Sequence, residues 1–258
     1  MGGDFAPDAV IEGAVDALGQ LPSGDRLVLI GNKKLIFEKL VSMKVEPSLF
    51  DIVPTTEVIE MADHPAKAFA QKKDSSIAVG FAMLKGGLLD GFASAGNTGA
   101  MLVGASYTVN VIPGVFRPAL VALIPNIDGK SSVMLDVGIN PDSKPDVLLQ
   151  YALLGSVYAK HVLGIENPTV GLLNIGEEES KGTAAVKAAY ELLRESTEVN
   201  FTGNIEGHTL FSPEMTDVIV CDGFVGNVVL KMAERFYGIA STRGIKDSFF
   251  DRLNFEVV

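Results

Sequence analysis

Lys181 and Asp222 are the ionisable residues whose surroundings best suit chemistry. Lys181 lies in the segment GEEESKGT, beyond the exit of the apolar run PTVGLLNIG and just before a helical stretch opening near Thr183. A lysine there can neutralise a phosphate or a developing oxyanion. Beside Glu177, Glu178 and Glu179 it can equally be a solvated surface residue. Asp222 follows the apolar run VIVC and precedes GFVGN, which puts its carboxylate at a strand tip. A carboxylate so placed can orient a substrate, accept a proton or cap the next turn. Asp136 in LDVGIN has the same double character, and Asn140 beside it is the better candidate ligand. In the loop SAGNTGA, Gly96 and Gly99 allow close backbone approach while Asn97 and Thr98 can donate hydrogen bonds, as in a phosphate loop.

Other chemistries are excluded by the same reading. SAGNTGA is not G-x-G-x-x-G and no acidic residue falls where a ribose-binding one should, so a dinucleotide does not fit. GEEESKGT has the order Lys-Gly-Thr rather than Gly-Lys-Thr, and its adjacent glutamates would repel a triphosphate. His64, His161 and His208 are scattered, and none pairs with a serine or cysteine in a nucleophile motif. No H-E-x-x-H or aspartate cluster points to a metal. The single cysteine, Cys221, sits inside an apolar run as a core residue and cannot form an intramolecular disulfide.

The elements that must position these residues follow from periodicity. Short apolar runs end repeatedly in Gly, Asn or Asp: LVLIGN (27–32), LLDGFASAGNTG (88–99), SVMLDVGIN (132–140), PTVGLLNIGEE (168–178), VNFTGNIEG (199–207) and DVIVCDGFVGN (217–227). Each reads as a buried strand with its exit loop. Helical periods lie between them, over 7–21, 33–43, 75–85, 98–111, 146–163, 183–194 and 227–237. Strand and helix in alternation predict parallel βαβ units with helices on both faces of the sheet. In such a sheet ligands sit beyond the carboxyl ends of the strands, so these exits together predict an anion-lined crevice.

The chain has 258 residues, 47% of them apolar, and its 21 Lys+Arg against 32 Asp+Glu leave a net charge of −11. That acidity argues against a nucleic-acid binder. The apolar content excludes disorder and suggests a covered surface, either an oligomer interface or a membrane contact. The length suits one large α/β domain or two small ones, with the polar turn PNIDGKSS (125–132) as a candidate subdomain boundary. No apolar run approaches the length of a transmembrane helix, and MGGDFAPD is no secretory signal, so a cytosolic location is expected.

Taken together, MGGDFAP, SAGNTGA, FRPAL, LDVGIN, GLLNIGEEESKGT, FTGNIEG and DGFVGNVVLK resemble the bacterial phosphate acyltransferase family of phospholipid synthesis, the PlsX family, over essentially the whole chain. The resemblance implies a single three-layer α/β/α acyltransferase domain over 1–258 with a mostly parallel central sheet, similar to phosphotransacetylases and to the isocitrate and isopropylmalate dehydrogenases. It implies a homodimer, no cofactor, and a reaction of acyl-[acyl carrier protein] with inorganic phosphate that yields acyl phosphate for a membrane glycerol-3-phosphate acyltransferase. The family has a strand before its MGGD turn and further elements after NFE, so the resemblance implies a chain trimmed at both ends. It also implies a membrane-associated hairpin over about 236–253. On this reading phosphate lies among Gly96, Asn97 and Thr98, Lys181 offsets its charge, and Asp222 orients it or takes its proton. Asp136, Asn140, Asn174, Asn204 and Asn227 are further candidates to hold phosphate, carbonyl or pantetheine. An acidic carrier protein needs a local basic patch on an acidic chain, for which Arg235, Arg243, Lys246 and Arg252 are the clustered candidates. A coenzyme A thioester in place of the carrier protein, or a non-catalytic scaffold that binds the carrier, are the rival readings.

Overall fold

The structure, a computed structural model, describes residues 1–242. The chain divides into two compact units, the first Met1–Ile112 and the second beginning at Pro113.

The first unit contains α1 (Asp8–Leu18), β1 (Val28–Gly31), α2 (Lys33–Ser42), β2 (Asp51–Pro54), α3 (Pro65–Gln71), α4 (Ser76–Lys85) and α5 (Thr98–Gly104). β1 and β2 pair in parallel. Asn32 starts α2 by accepting the N–H groups of Lys34 and Leu35 on its side chain. One core cluster joins Ile11, Leu29, Ile36, Leu40 and Phe50, and another joins Ile59, Phe69, Ile77, Phe81 and Ala100. Two expectations change here. No strand forms at 88–93: Leu88 is exposed, Asp90-Gly91 interrupts the run, and Phe92 alone turns inward to meet Phe81 edge-on. The helix expected over 98–111 ends at Gly104, a position crowded by the rings of Phe81 and Phe69, and continues as a single π turn to a left-handed Asn110.

The second unit contains β3 (Val121–Pro125), β4 (Ser131–Leu135), α6 (Pro145–Val162), β5 (Thr169–Asn174), α7 (Ala184–Glu195), β6 (Asn200–Glu206), β7 (Val218–Val220) and α8 (Gly223–Thr242). Its strands form one sheet in the order β3-β4-β7-β5-β6, parallel throughout except for β3 against β4. The polar turn at 125–132 closes that antiparallel hairpin, with Asn126 Oδ1 accepting the Lys130 N–H.

The alternation of side chains along each strand builds the three layers. Val133, Leu135, Val218, Val220, Val170 and Leu172 face the layer of α6 and α7. Met134, Ile219 and Leu173 face the opposite layer, with Leu230 of α8, Leu210 and Met215. Each of these side chains is all but shut off from water, worth about 1.5–3 kcal/mol apiece. Three layers around a mostly parallel sheet is the architecture the sequence implies.

Candidate active site

Because β4, β7, β5 and β6 run in parallel, their carboxyl ends share one edge. Asp136 follows β4, Cys221-Asp222 follow β7, Asn174 ends β5, and Asn204 lies near the end of β6.

Asp136 is fully buried, and its carboxylate accepts the N–H groups of Leu120, Gly138, Ile139 and Asn140 at 2.7–3.2 Å, together with Asn140 Nδ2. It therefore shapes the 136–140 loop. Asn140 uses its amide hydrogens on Pro118 O at 2.7 Å and on Asp136 Oδ2. The start of α8 locks into this loop: Gly223 N–H donates to Asn140 O, the Cys221 thiol to Asp136 O, and Asn227 Nδ2 to Val137 O. Asp222 accepts the Val225 N–H on Oδ1 at 2.8 Å, which caps the first turn, and leaves Oδ2 without a hydrogen bond among the described residues. Asp136, Asn140, Asp222 and Asn227 are thus brought together. Burial pushes the Cys221 thiol well above its ordinary range, the form of a core residue rather than a nucleophile.

A second cluster surrounds the loop 175–182. Asn174 accepts the Ile175 N–H and donates to Lys181 O at 3.2 Å, while Asn204 Nδ2 donates to Glu178 O at 3.1 Å. Asn204 Oδ1 is buried without a partner. Two asparagines at the strand ends therefore fix the loop backbone, and Gly182, with φ +89°, turns it into α7, which Thr183 caps. The Lys181 ammonium is only loosely held, 4.0 Å from Glu178 Oε1 with its side chain 46% exposed, so its charge is available to a ligand.

The loop of Gly96, Asn97 and Thr98 belongs to the first unit. Asn97 is buried with its amide turned inward: Oδ1 accepts the Ala100 N–H, and Nδ2 faces the carbonyls of Glu60, Met61 and Asp63. Thr98 is exposed beside it. The same loop cluster contains Lys72, which donates to Val58 O and to Asp63 Oδ2 at 2.6 Å; this ammonium and the Glu60 N–H hold the Asp63 carboxyl below its usual range. Arg235 is exposed on α8, whereas Arg243, Lys246, Arg252 and most of the 236–253 segment lie outside the described residues. Among the described residues no group of His, Cys, Asp and Glu could hold a metal ion, and no helix is long and apolar enough to cross a membrane.

The strap of residues 114–120 entered the sequence reading only as the motif FRPAL, with no role for any of its residues, and its partners on α6 were missed. Gln150 accepts the Phe116 N–H and donates to Gly114 O at 2.8 Å. Arg117, Asn140, Ser143 and Lys144 line a cleft of about 470 Å³ beneath it. Behind that cleft Tyr151 is fully buried, and its hydroxyl, set against Ser143 and Asn140, is pushed up to about 12, chiefly by burial. In the sequence Tyr151 was one more apolar position of a helix; Ser143-Lys144-Pro145 as a helix start was the available signal.

Solved structures define the fold. The phosphotransacetylase from Streptococcus pyogenes superposes with TM-score 0.60 at 18% identity, covering 89% of this chain and 87% of that one. The branched-chain phosphotransacylase from Enterococcus faecalis V583 superposes with TM-score 0.62 at 15% identity, covering 91% and 82%. The fold is that of the phosphotransacetylases. The family described as "Fatty acid synthesis protein" matches residues 1–245. The phosphate acyltransferases of Desulfitobacterium hafniense, Syntrophomonas wolfei and Caldicellulosiruptor bescii are 46%, 43% and 49% identical over 238, 260 and 236 residues, covering 92%, 99% and 91% of this chain and 70%, 81% and 69% of theirs. The chain belongs to this family, that of the phosphate acyltransferases, and is an enzyme of the acyltransferase class.

Proposed function

We propose that the chain transfers an acyl group from acyl-[acyl carrier protein] to inorganic phosphate, an early step of phospholipid synthesis. A phosphate oxygen attacks the thioester carbonyl, the C–S bond breaks, and the carrier leaves as a thiol once it has taken up a proton. The observation that carries this reading is the pairing of family membership with the strand-end edge of the second unit, where an underused ammonium at Lys181 and an unbonded carboxylate oxygen at Asp222 stand on rigidly pinned loops. Lys181 offsets the charge of phosphate and of the tetrahedral oxyanion. Asp222 Oδ2 orients phosphate or accepts its proton. Asn174, Asn204 and Asp136 act through the loops they hold, and Asn140 and Asn227 stand beside Asp136 and the Asp222 turn. In the first unit, taken by itself, the exposed Thr98 hydroxyl beside Gly96 and the inward-turned Asn97 can donate a hydrogen bond to a phosphate oxygen.

Phosphate is itself the nucleophile, so no covalent enzyme intermediate is required. A homodimer is supported by the exposed stripe of Phe224, Val228, Met232 and Phe236, spaced four apart on α8. Arg235, with Arg243, Lys246 and Arg252, receives the acidic carrier. The protein works in the cytoplasm, peripherally at the membrane, and passes acyl phosphate to a glycerol-3-phosphate acyltransferase. The test is release of carrier thiol from acyl-[acyl carrier protein] with and without phosphate. Phosphate-dependent release is expected. Release only from acyl-coenzyme A would favour the phosphotransacetylase-like reading of the same fold, and carrier binding without release a scaffold.

A further inference from the structure

The backbone on either side of Arg117 is anchored and its side chain is not. Phe116 N–H donates to Gln150 Oε1, Pro118 O accepts from Asn140 Nδ2, and Leu120 N–H donates to Asp136 Oδ1. Three polar side chains from α6 and the 136–140 loop thus hold the strap. Arg117 projects from its middle, exposed and without an ion pair among the described residues. A guanidinium on a fixed backbone with no carboxylate partner has lost part of its freedom before any ligand arrives, which favours ligand capture.

The same cleft contains a second cation in the same condition. Lys144, the N-cap of the 18-residue α6, is exposed and unpaired among the described residues, and no side chain caps that helix start. Between the two cations lies Ser143, buried, with its hydroxyl making only a long 3.4 Å bond to Asn140 O. Behind Ser143 stands the independent observation: the Tyr151 hydroxyl, fully buried and without a hydrogen-bond partner of good geometry. Buried hydroxyls rarely go unpaired. The Ser143 oxygen has lone pairs to accept from Tyr151 while its hydrogen, held only by the long bond to Asn140 O, can turn to donate into the cleft, which satisfies both groups at once.

We propose that this cleft in the second unit holds a phosphate-type anion, with Arg117 and Lys144 as its cationic jaws and Ser143, backed by Tyr151, as a neutral donor. The chemistry fits inorganic phosphate and equally the phosphodiester of a pantetheine arm. The inference rests on the phosphate acyltransferase reading for the source of that anion, but the binding itself does not depend on turnover. Asp142 and Asp146 also line the cleft. Both carboxylates oppose an anion; Asp146 is oriented by the Val147 N–H in the first turn, whereas Asp142 has no side-chain hydrogen bond among the described residues and is the one free to turn away.

The test is calorimetric titration of the full chain with inorganic phosphate in one arm and a pantetheine phosphodiester in the other. Arg117→Gln and Lys144→Gln each weaken the cognate arm tenfold or more, Tyr151→Phe weakens it a few-fold, and Asp142→Asn tightens it. The arm that responds identifies the source. Unchanged dissociation constants in both arms for well-folded Arg117→Gln and Lys144→Gln overturn the proposal. Weakening in these variants from a wild type that shows no phosphate-dependent thiol release leaves the anion site standing and removes the reaction reading instead.

Discussion

Among single residues, Lys181 and Asp222 combine a rigid loop with an unsatisfied charged atom, while Asp136 and Asn97 are charged or polar groups turned inward. The consequences differ in kind. Lys181→Ala and Asp222→Ala are expected to lower acyl phosphate formation by about two orders of magnitude or more, the scale of a lost electrostatic or acid–base group; Lys181→Ala keeps an unfolding midpoint close to wild type, while Asp222→Ala also loses the cap on Val225 N–H, about 1 kcal/mol of stability. Near-wild-type turnover in either variant removes that residue from the chemistry. Asp136→Ala is expected to act on stability first. It leaves the N–H groups of Leu120, Ile139 and Asn140 half-buried without their acceptor and that of Gly138 to water, so a loss of about 1–3 kcal/mol or more in urea unfolding is expected, the desolvation cost of unsatisfied donors. Asp222 was legible from sequence because it directly follows an apolar run, and Lys181 because it lies in the exit loop after one; beyond the strand ends of a parallel sheet is where ligands bind. The inward turn of Asn97 was not legible, because its three carbonyl neighbours lie more than 30 residues away in the chain.

At the scale of elements, the first turn of α8 and the loop after β4 behave as one piece. Gly226 lies so close to the Asp136 carbonyl that a methyl group there would overlap it. Gly226→Ala is therefore expected to destabilise by about 1–3 kcal/mol or more and to reduce activity with it, because Asp222 rides on the same turn. Thermal unfolding and turnover measured together check this; unchanged values of both would show that the two segments move apart freely. Most helices were legible from their period, as with α6 and α7, whose apolar faces meet one side of the sheet. The run at 88–93 was not, since apolar residues followed by glycine describe a strand only where a neighbouring strand offers hydrogen bonds. The start of α8 at Gly223 was also hidden: glycines read as an exit loop, and it is close packing against Asp136 and Asn140 that demands them.

For the whole molecule, charge and pH are the relevant variables. In the first unit the carboxyls of Asp51, Asp63 and Asp74 are all held below their ordinary range, by Arg26, Lys72 and Thr56 respectively. Carboxyls lowered in the folded state contribute stability that is present above their unfolded pKa and is lost as pH falls through the folded one. The first unit should therefore weaken progressively below about pH 4, and Lys72→Met should flatten that dependence; an unaltered acid profile in urea titrations of this variant would rule out the Asp63 contribution. Tyr151 gives the opposite limb. Its hydroxyl, raised to about 12, contributes stability that is full below its unfolded value and is lost as pH rises through 12, so Tyr151→Phe should resist alkaline unfolding better than wild type. The sequence alone determined the α/β class, the family and the place of Lys181 and Asp222 in strand-exit segments, because periodicity and local motifs are properties of contiguous residues. Only the tertiary structure decided which polar groups face inward, which cations stay unpaired, and that Gln150, Asn140 and Asp136 converge on one strap. Those are contacts between distant residues, and side-chain type constrains such contacts without specifying them.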